Sequence, residues 1–220
     1  MLPDLLIFDM DGLIFDTERL FMNLRADIMA EYGYVHREED YLRTLGTSGE
    51  NLSRILREIY GPAYPADKIS RRTRAAQLDR IRSSGPPVRP GIPELLDWAA
   101  QQQITCCVAT STASSHAREF LKLAGLAEYF SFVIGGEEVS RSKPDPEIFL
   151  LACTKASVAP ERALVLEDSE NGVLAADRAG IPVICIPDLK QPDPKIAKKA
   201  AAVCDSAFDV PDVLTAALPD

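Results

Sequence analysis

Four short apolar runs follow one another from residue 105 onward in this chain: Thr105–Ala109, Phe132–Ile134, Ala163–Leu166 and Pro182–Ile186. They recur at intervals of roughly 20 to 30 residues with helical pattern between them, which is the signature of βαβ units around a parallel sheet. A fifth run, Leu5–Phe8, stands near the start. None shows much polar alternation, as expected of strands covered on both faces. The intervening segments read as helices. Ala117–Leu126 sets Phe120, Leu121, Leu123 and Ala124 at helical spacing before Gly125, and Gly172–Ala179 is a small-residue helix closed by Gly180. The fold class is therefore α/β.

The interval between the first and second runs breaks this rhythm. It covers roughly 95 residues, whereas a crossover needs little more than a dozen. The excess predicts an insertion, and its pattern is helical. Leu20, Phe21, Leu24, Ile28 and Met29 trace one apolar stripe. Leu52, Ile55, Leu56, Ile59 and Tyr60 trace another at i, i+3, i+4, i+7 and i+8. Residues 68–82 read as a third helix, rich in arginine. Prolines and glycines at 85–93 mark the return to the body. The expected division is a helical insertion over 16–88 and a body formed by 1–15 and 89–220.

Composition sets bounds on function. The 220 residues suit one domain carrying an insertion. No apolar stretch reaches the ~20 residues that span a bilayer, so no membrane association is expected. Five cysteines without a CxxC pair, and no export leader, point to a reducing cytoplasmic location. Cys107 and Cys185 lie in apolar runs and read as buried hydrophobes. The net charge of −9 argues against nucleic acid as a partner. The acidity falls outside residues 15–90, where basic residues slightly exceed acidic ones. Arg71, Arg72, Arg74, Arg80 and Arg82 read as a solvated helix face, His36 and His116 as surface residues, and Trp98 as core. Nothing in the pattern indicates a coiled coil or an obligate dimer, so a monomer or weak homo-oligomer is expected.

Ligands of an open parallel sheet bind beyond the carboxyl ends of its strands. The first run ends in Asp9-Met10-Asp11 and the second in Thr110-Ser111-Thr112. The third is followed by Glu137-Glu138 and by Ser142-Lys143-Pro144. The fourth ends in Glu167-Asp168-Ser169, and the fifth in Pro187-Asp188. Asp9 and Asp11, two residues apart, leave their strand toward the same side. With Glu167 and Asp168 they bring up to four carboxylates together, an arrangement that needs a cation. All-oxygen donors without His or Cys favour a hard ion, most simply Mg²⁺. Lys143 and the hydroxyls of Thr110 and Ser111 suit a phosphoryl group. One carboxylate can attack phosphorus while another handles protons. Thr17 and Glu18 can open the first helix of the insertion as an N-cap and acidic first turn, or can touch substrate.

The motifs DxDG followed by DTE, a strand ending in Thr110-Ser111, SKPDPEIF and LEDSENG, in that order, closely resemble those of the haloacid dehalogenase superfamily. The likeness extends over essentially the whole chain. It is strongest to the branch with a helical cap inserted after the first motif, which contains β-phosphoglucomutase-like enzymes and small sugar-phosphate phosphatases. The resemblance implies a Rossmann-like catalytic core. It implies Asp9 as nucleophile and metal ligand, and Asp11 as general acid/base with its backbone carbonyl on the metal. Thr110, Ser111 and Lys143 would hold the phosphoryl group, Glu167 and Asp168 would complete the Mg²⁺ site, and Thr17 and Ser48 would be substrate-binding positions. The chain departs from the mutases, which carry a histidine where Phe21 stands. Their cap loop also has an arginine after its serine, whereas Gly46-Thr47-Ser48-Gly49 has none. The expected activity is a Mg²⁺-dependent phosphatase of a small phosphorylated metabolite such as a sugar phosphate, acting through an aspartyl-phosphate. A phosphosugar mutase is the alternative, and a non-catalytic ligand-binding descendant is a remote one.

Overall fold

The computed structural model describes residues 1–44, 47 and 49–216. Among them six strands form one sheet: β1 (Leu5–Phe8), β2 (Thr105–Ala109), β3 (Val133–Ile134), β4 (Ala163–Glu167), β5 (Val183–Cys185) and β6 (Ala202–Val203). Their order is β3-β2-β1-β4-β5-β6, and every neighbouring pair is parallel. Five strands occupy the runs read from the sequence. Pro182 stays outside β5, consistent with its missing N–H. The two-residue β6 sits at an edge and is only partly buried; it lies in the apolar run Ala200–Cys204, which is not among the five runs read as strands. The α/β reading holds.

The chain divides into two compact units, Met1–Asp16 with Val88–Asp220, and Thr17–Pro87. Among the described residues the elements of the second are helices: α1 (Thr17–Glu31), α2 (Glu38–Leu42), α3 (Gly49–Tyr60) and α4 (Ala66–Ser84). Its core gathers Ile28, Met29, Leu56, Tyr64, Ala66 and Ile69, with α1 packed along α4. Two readings change here. On α1 the buried face is Met22, Arg25, Ile28 and Met29, while Leu20, Phe21 and Leu24 are only half-buried. His36 is also half-buried rather than a surface residue, with both ring nitrogens out of solvent. The five arginines of α4 are exposed as expected. Ser48, a predicted substrate-binding residue, lies outside the described residues.

In the sheet-bearing unit, α5 (Ile92–Gln101), α6 (Ser114–Leu123), α7 (Glu147–Ala156), α8 (Glu170–Ala179), α9 (Pro194–Ala197) and α10 (Val210–Ala216) complete the crossovers and edges. One core layer joins Leu5, Ile7, Cys107, Ala109, Val165 and Val183 of the strands to Ile148 and Phe149 of α7 and Val173 and Ala176 of α8. Fully burying one such large side chain contributes about 1.5–3 kcal/mol, so truncating Phe149 would cost more than any exposed change nearby. Cys107 and Cys185 are fully buried, and all five cysteines are free thiols. Trp98 on α5 is half-buried rather than core. Among the described residues no helix is long and apolar enough to cross a membrane.

Candidate active site

Strand order decides which residues meet. β1 lies between β2 and β4, with Phe8 in register with Val108 on one side and Leu166 on the other. The ladder runs on past the strand ends. The Asp9 amide donates to Leu166 O at 3.0 Å, the Thr110 amide to Ile134 O at 3.1 Å, and the Ile186 amide to Glu167 O at 2.7 Å. Thr110, Asp9 and Glu167 are thereby fixed side by side at the carboxyl edge, where the strand order reverses and such sheets bind their ligands.

Lys143 enters this edge from the loop before α7. Its Nζ donates to Asp9 Oδ1 at 2.5 Å, Glu167 Oε1 at 2.7 Å and Ala109 O at 3.1 Å. Three acceptors match the three N–H bonds of an ammonium. The Phe149 ring lies 4.8 Å from Nζ. Burial opposes the charge on Lys143, but Asp9 and Glu167 outweigh it and raise the pKa. Burial first, then the charges of Glu167 and Asp11, raise the Asp9 carboxyl to about 7 against the pull of Lys143. Asp168 is raised well above the usual carboxylate range by burial, then by Glu167, Asp9 and Asp188. One ammonium thus fails to balance the acids around it.

Carboxylate oxygens of Asp9, Glu167 and Asp168 lie within 4.8 Å of one another. That donor set fits a hard divalent cation, whose charge would restore ionised carboxylates at neutral pH. The approach depends on two glycines. A Cβ on Gly12, whose φ is +85°, would fall 2.2 Å from Asp168 Oδ2, and one on Gly172 would fall 1.8 Å from the Glu167 carboxyl carbon. Glu167 is the most engaged of the three. Its Oε2 accepts from the Asp168 and Ser169 amides, each at 3.1 Å, and from the Ser169 hydroxyl at 3.0 Å. The Ser169 hydroxyl in turn accepts from the Gly172 amide as the N-cap of α8.

Asp11 stands apart from this triad, so three carboxylates converge rather than four. Its Oδ2 accepts from the Thr112 hydroxyl at 2.7 Å. Thr110, 1% exposed, uses its Oγ1 to accept from the Thr112 amide at 3.0 Å. Ser111 is exposed beside them, and its carbonyl packs where a Cβ on Gly136 would fall. Thr17 belongs to the helical unit, where it is buried and its carbonyl accepts from Gln77 Nε2 at 2.8 Å. Two neighbours escaped sequence reasoning. Thr112 was visible only as the third residue of the Thr-Ser-Thr end. Arg89 donates to Gly12 O and, at 3.2 Å, to Pro187 O, and its Nη1 lies 3.9 Å from Asp188. It ties together the loops after β1 and β5, which only the strand order brings close.

Residues 6–186 match the haloacid dehalogenase-like hydrolase family. Two relatives are the phosphorylated carbohydrates phosphatase of Thermotoga maritima, 34% identical over 80% of this chain and 81% of that protein, and a probable pseudouridine-5'-phosphatase of Drosophila melanogaster, 35% identical over 83% of this chain and 80% of that protein. Among solved structures, CbbY from Rhodobacter sphaeroides in complex with phosphate superposes with a TM-score of 0.77 and 30% identity, covering 95% of this chain and 96% of that one. Fold and match together define the class: this chain belongs to the haloacid dehalogenase-like hydrolases. Within them it is a phosphatase, a hydrolase acting on phosphoric monoesters.

Proposed function

We propose that this phosphatase hydrolyses a small sugar phosphate, with Asp9 as nucleophile, Asp11 as general acid and base, and Mg²⁺ as cofactor. One observation carries the reading: Lys143 bridges Asp9 and Glu167 at 2.5 and 2.7 Å while Asp168 completes an oxygen cluster beside them. The relatives' names, a carbohydrate phosphatase among them, support the substrate class. Asp9 and Asp168 would hold the metal, with Asp11 lending its backbone carbonyl. Glu167, already saturated with donors, would chiefly position Lys143 and the turn after β4. When bound, Mg²⁺ supplies charge neutralisation between the carboxylates and an incoming phosphoryl group.

An Asp9 carboxylate oxygen attacks phosphorus, and the bond from phosphorus to the sugar oxygen breaks. Asp11 passes its proton to that leaving oxygen. It then takes a proton from water as the water attacks phosphorus, which releases phosphate and restores the Asp9 carboxylate. Lys143 offsets charge at the attacking oxygen, while Thr110 and Ser111 orient the phosphoryl oxygens. Thr112 would hold the Asp11 carboxyl in place, and Arg89 would brace the loop that carries it. Most of the rate acceleration is then positioning and charge neutralisation. The helical unit would select the substrate, with Thr17 and Ser48 as candidate contacts.

Hydrolysis is preferred to mutase chemistry because Phe21 replaces an ionisable side chain and Gly49 an anion clamp. A phosphate-release screen over phosphorylated metabolites, with Mg²⁺ or EDTA, tests the proposal. Metal-dependent release from sugar phosphates is expected. Isomerisation of a sugar phosphate in the presence of its bisphosphate, with little phosphate released, would replace it with the mutase reading.

A further inference from the structure

Glu137 and Glu138 follow β3 at the carboxyl edge of the sheet, and the chemistry above uses neither. Glu137 reaches across to the first residue of α6, 23 positions earlier. Its Oε1 accepts from the Ser114 amide at 2.9 Å and from the Ser114 hydroxyl at 2.6 Å, and its Oε2 accepts from the same amide at 3.1 Å. Ala113, at the N-cap of α6, has no side-chain oxygen to offer the helix, so an acid from another loop supplies the cap instead. The Ser114 hydroxyl, then the Glu137 and Ser114 amides, hold the Glu137 carboxyl below its usual range. Glu138 closes the turn on itself. Its Oε1 accepts from the Gly135 amide at 3.0 Å, and its Oε2 meets Lys155 of α7 at 2.6 Å. Between these anchors two loops interlock. The Gly136 amide donates to Thr112 O at 3.2 Å. A Cβ on Gly135 would fall 2.2 Å from the Ser114 nitrogen, and one on Gly136 would fall 2.4 Å from Ser111 O. The turn after β3 is therefore pressed directly onto residues 111–114.

We propose that Glu137 is a positioning residue: by fixing Ser114 at the start of α6 it sets the segment Thr110–Thr112, and through the Thr112 hydroxyl it holds the Asp11 carboxyl where proton transfer needs it. The chain of contacts is short. Glu137 holds Ser114, the adjoining turn holds Thr112 O, and the Thr112 hydroxyl donates to Asp11 Oδ2 at 2.7 Å. The Thr112 amide in turn donates to Thr110 Oγ1 at 3.0 Å, so the same anchor reaches the hydroxyl assigned to the phosphoryl group. Misplacing a reacting group by 1 Å can cost about 10²-fold in rate, so an anchor outside the reacting groups can govern turnover. The role rests on the phosphatase reading above, with Asp11 as general acid.

The leaving group separates this role from simple capping of α6. A sugar alcohol departs with a proton from Asp11, whereas p-nitrophenolate departs as a stabilised anion and needs little proton transfer. In the full chain with Mg²⁺, E137A should lower kcat/KM about 3- to 10-fold for the sugar phosphate turned over fastest in the screen above, and less than about twofold for p-nitrophenyl phosphate. E137Q keeps an oxygen for the Ser114 donors and should restore most of the loss. An equal fall for both substrates, no fall for either, or an E137Q as slow as E137A overturns the proposal. Crystals of E137A give a readout that needs no turnover. The Thr112 hydroxyl should move out of hydrogen-bonding reach of Asp11, past about 3.5 Å, and a retained bond overturns the proposal. If the unaltered chain releases phosphate from no sugar phosphate, the phosphatase reading fails instead, and the crystals alone decide the placement. Should E137A fail to fold, E137D, one methylene shorter, replaces it in both measurements.

Discussion

Replacing Lys143 with methionine removes the charge while keeping an unbranched side chain able to pack on Phe149, and it tests the electrostatic core of this site. The lysine side chain is 6% exposed, and its ammonium satisfies Asp9 Oδ1, Glu167 Oε1 and Ala109 O at once. Its loss leaves two buried carboxyl groups without their counter-charge, which costs about 3–5 kcal/mol. For a chain of this size that corresponds to a fall in Tm of roughly 6–20 °C. The deficit should depend on pH. Burial already sets the Asp9 carboxyl at about 7 in the folded chain with Lys143 pulling it down. Without the lysine it rises further, while the unfolded value stays near ~4. Across that window the folded chain keeps a proton that the unfolded chain has lost, so stability falls as pH rises. K143M in EDTA should therefore lie nearest the unaltered protein at about pH 5 and furthest from it at about pH 8, with each differential proton worth about 1.4 kcal/mol per pH unit. Calorimetry at both pH values, with phosphate release measured alongside, checks this. A K143M protein that melts within about 2 °C of the unaltered chain at pH 8, or whose deficit is the same at both pH values, or that keeps its kcat/KM, would refute the reasoning.

Asp9→Asn should preserve the circular dichroism spectrum and lower kcat by several orders of magnitude, since an amide cannot form the acyl phosphate; retained turnover would remove Asp9 from the mechanism. Mg²⁺ should raise Tm more at about pH 8 than at about pH 5, because Asp9 and Asp168 hold protons that compete with the metal at lower pH; thermal shift titrations read this directly. Gly12→Ala should destabilise the chain by about 1–3 kcal/mol and weaken Mg²⁺ binding, because its Cβ would fall on the Asp168 carboxylate at a positive φ; chemical denaturation with and without the metal measures both effects. Thr112→Val should lower kcat about tenfold by removing the hydrogen bond to Asp11, with little change in KM; an unaltered kcat would leave that hydroxyl a purely structural one.

Local pattern carried most of the architecture. Apolar runs of strand length, spaced by helices, are sufficient to imply a parallel sheet, because strands buried on both faces have no polar alternation to hide them. The long interval after β1 announced the helical insertion for the same reason. Asp9, Asp11, Thr110, Lys143, Glu167 and Asp168 were legible as a group because parallel strands all point their carboxyl ends, and the loops attached there, toward one edge. Tertiary structure alone decided how that group divides. Lys143 reaches Asp9 across 134 residues of sequence and Thr112 reaches Asp11 across 101, and no local period encodes such pairs. Arg89 bridges Gly12 and Pro187 only because β1 and β5 flank β4. Arg25 shows the converse. Its charge predicts exposure on a helix, yet the packing of α1 against α4 set its rotational phase and placed it inside. Side-chain chemistry along the chain determined which groups could work together; which of them touch, and which lose their water, was a matter of three-dimensional packing.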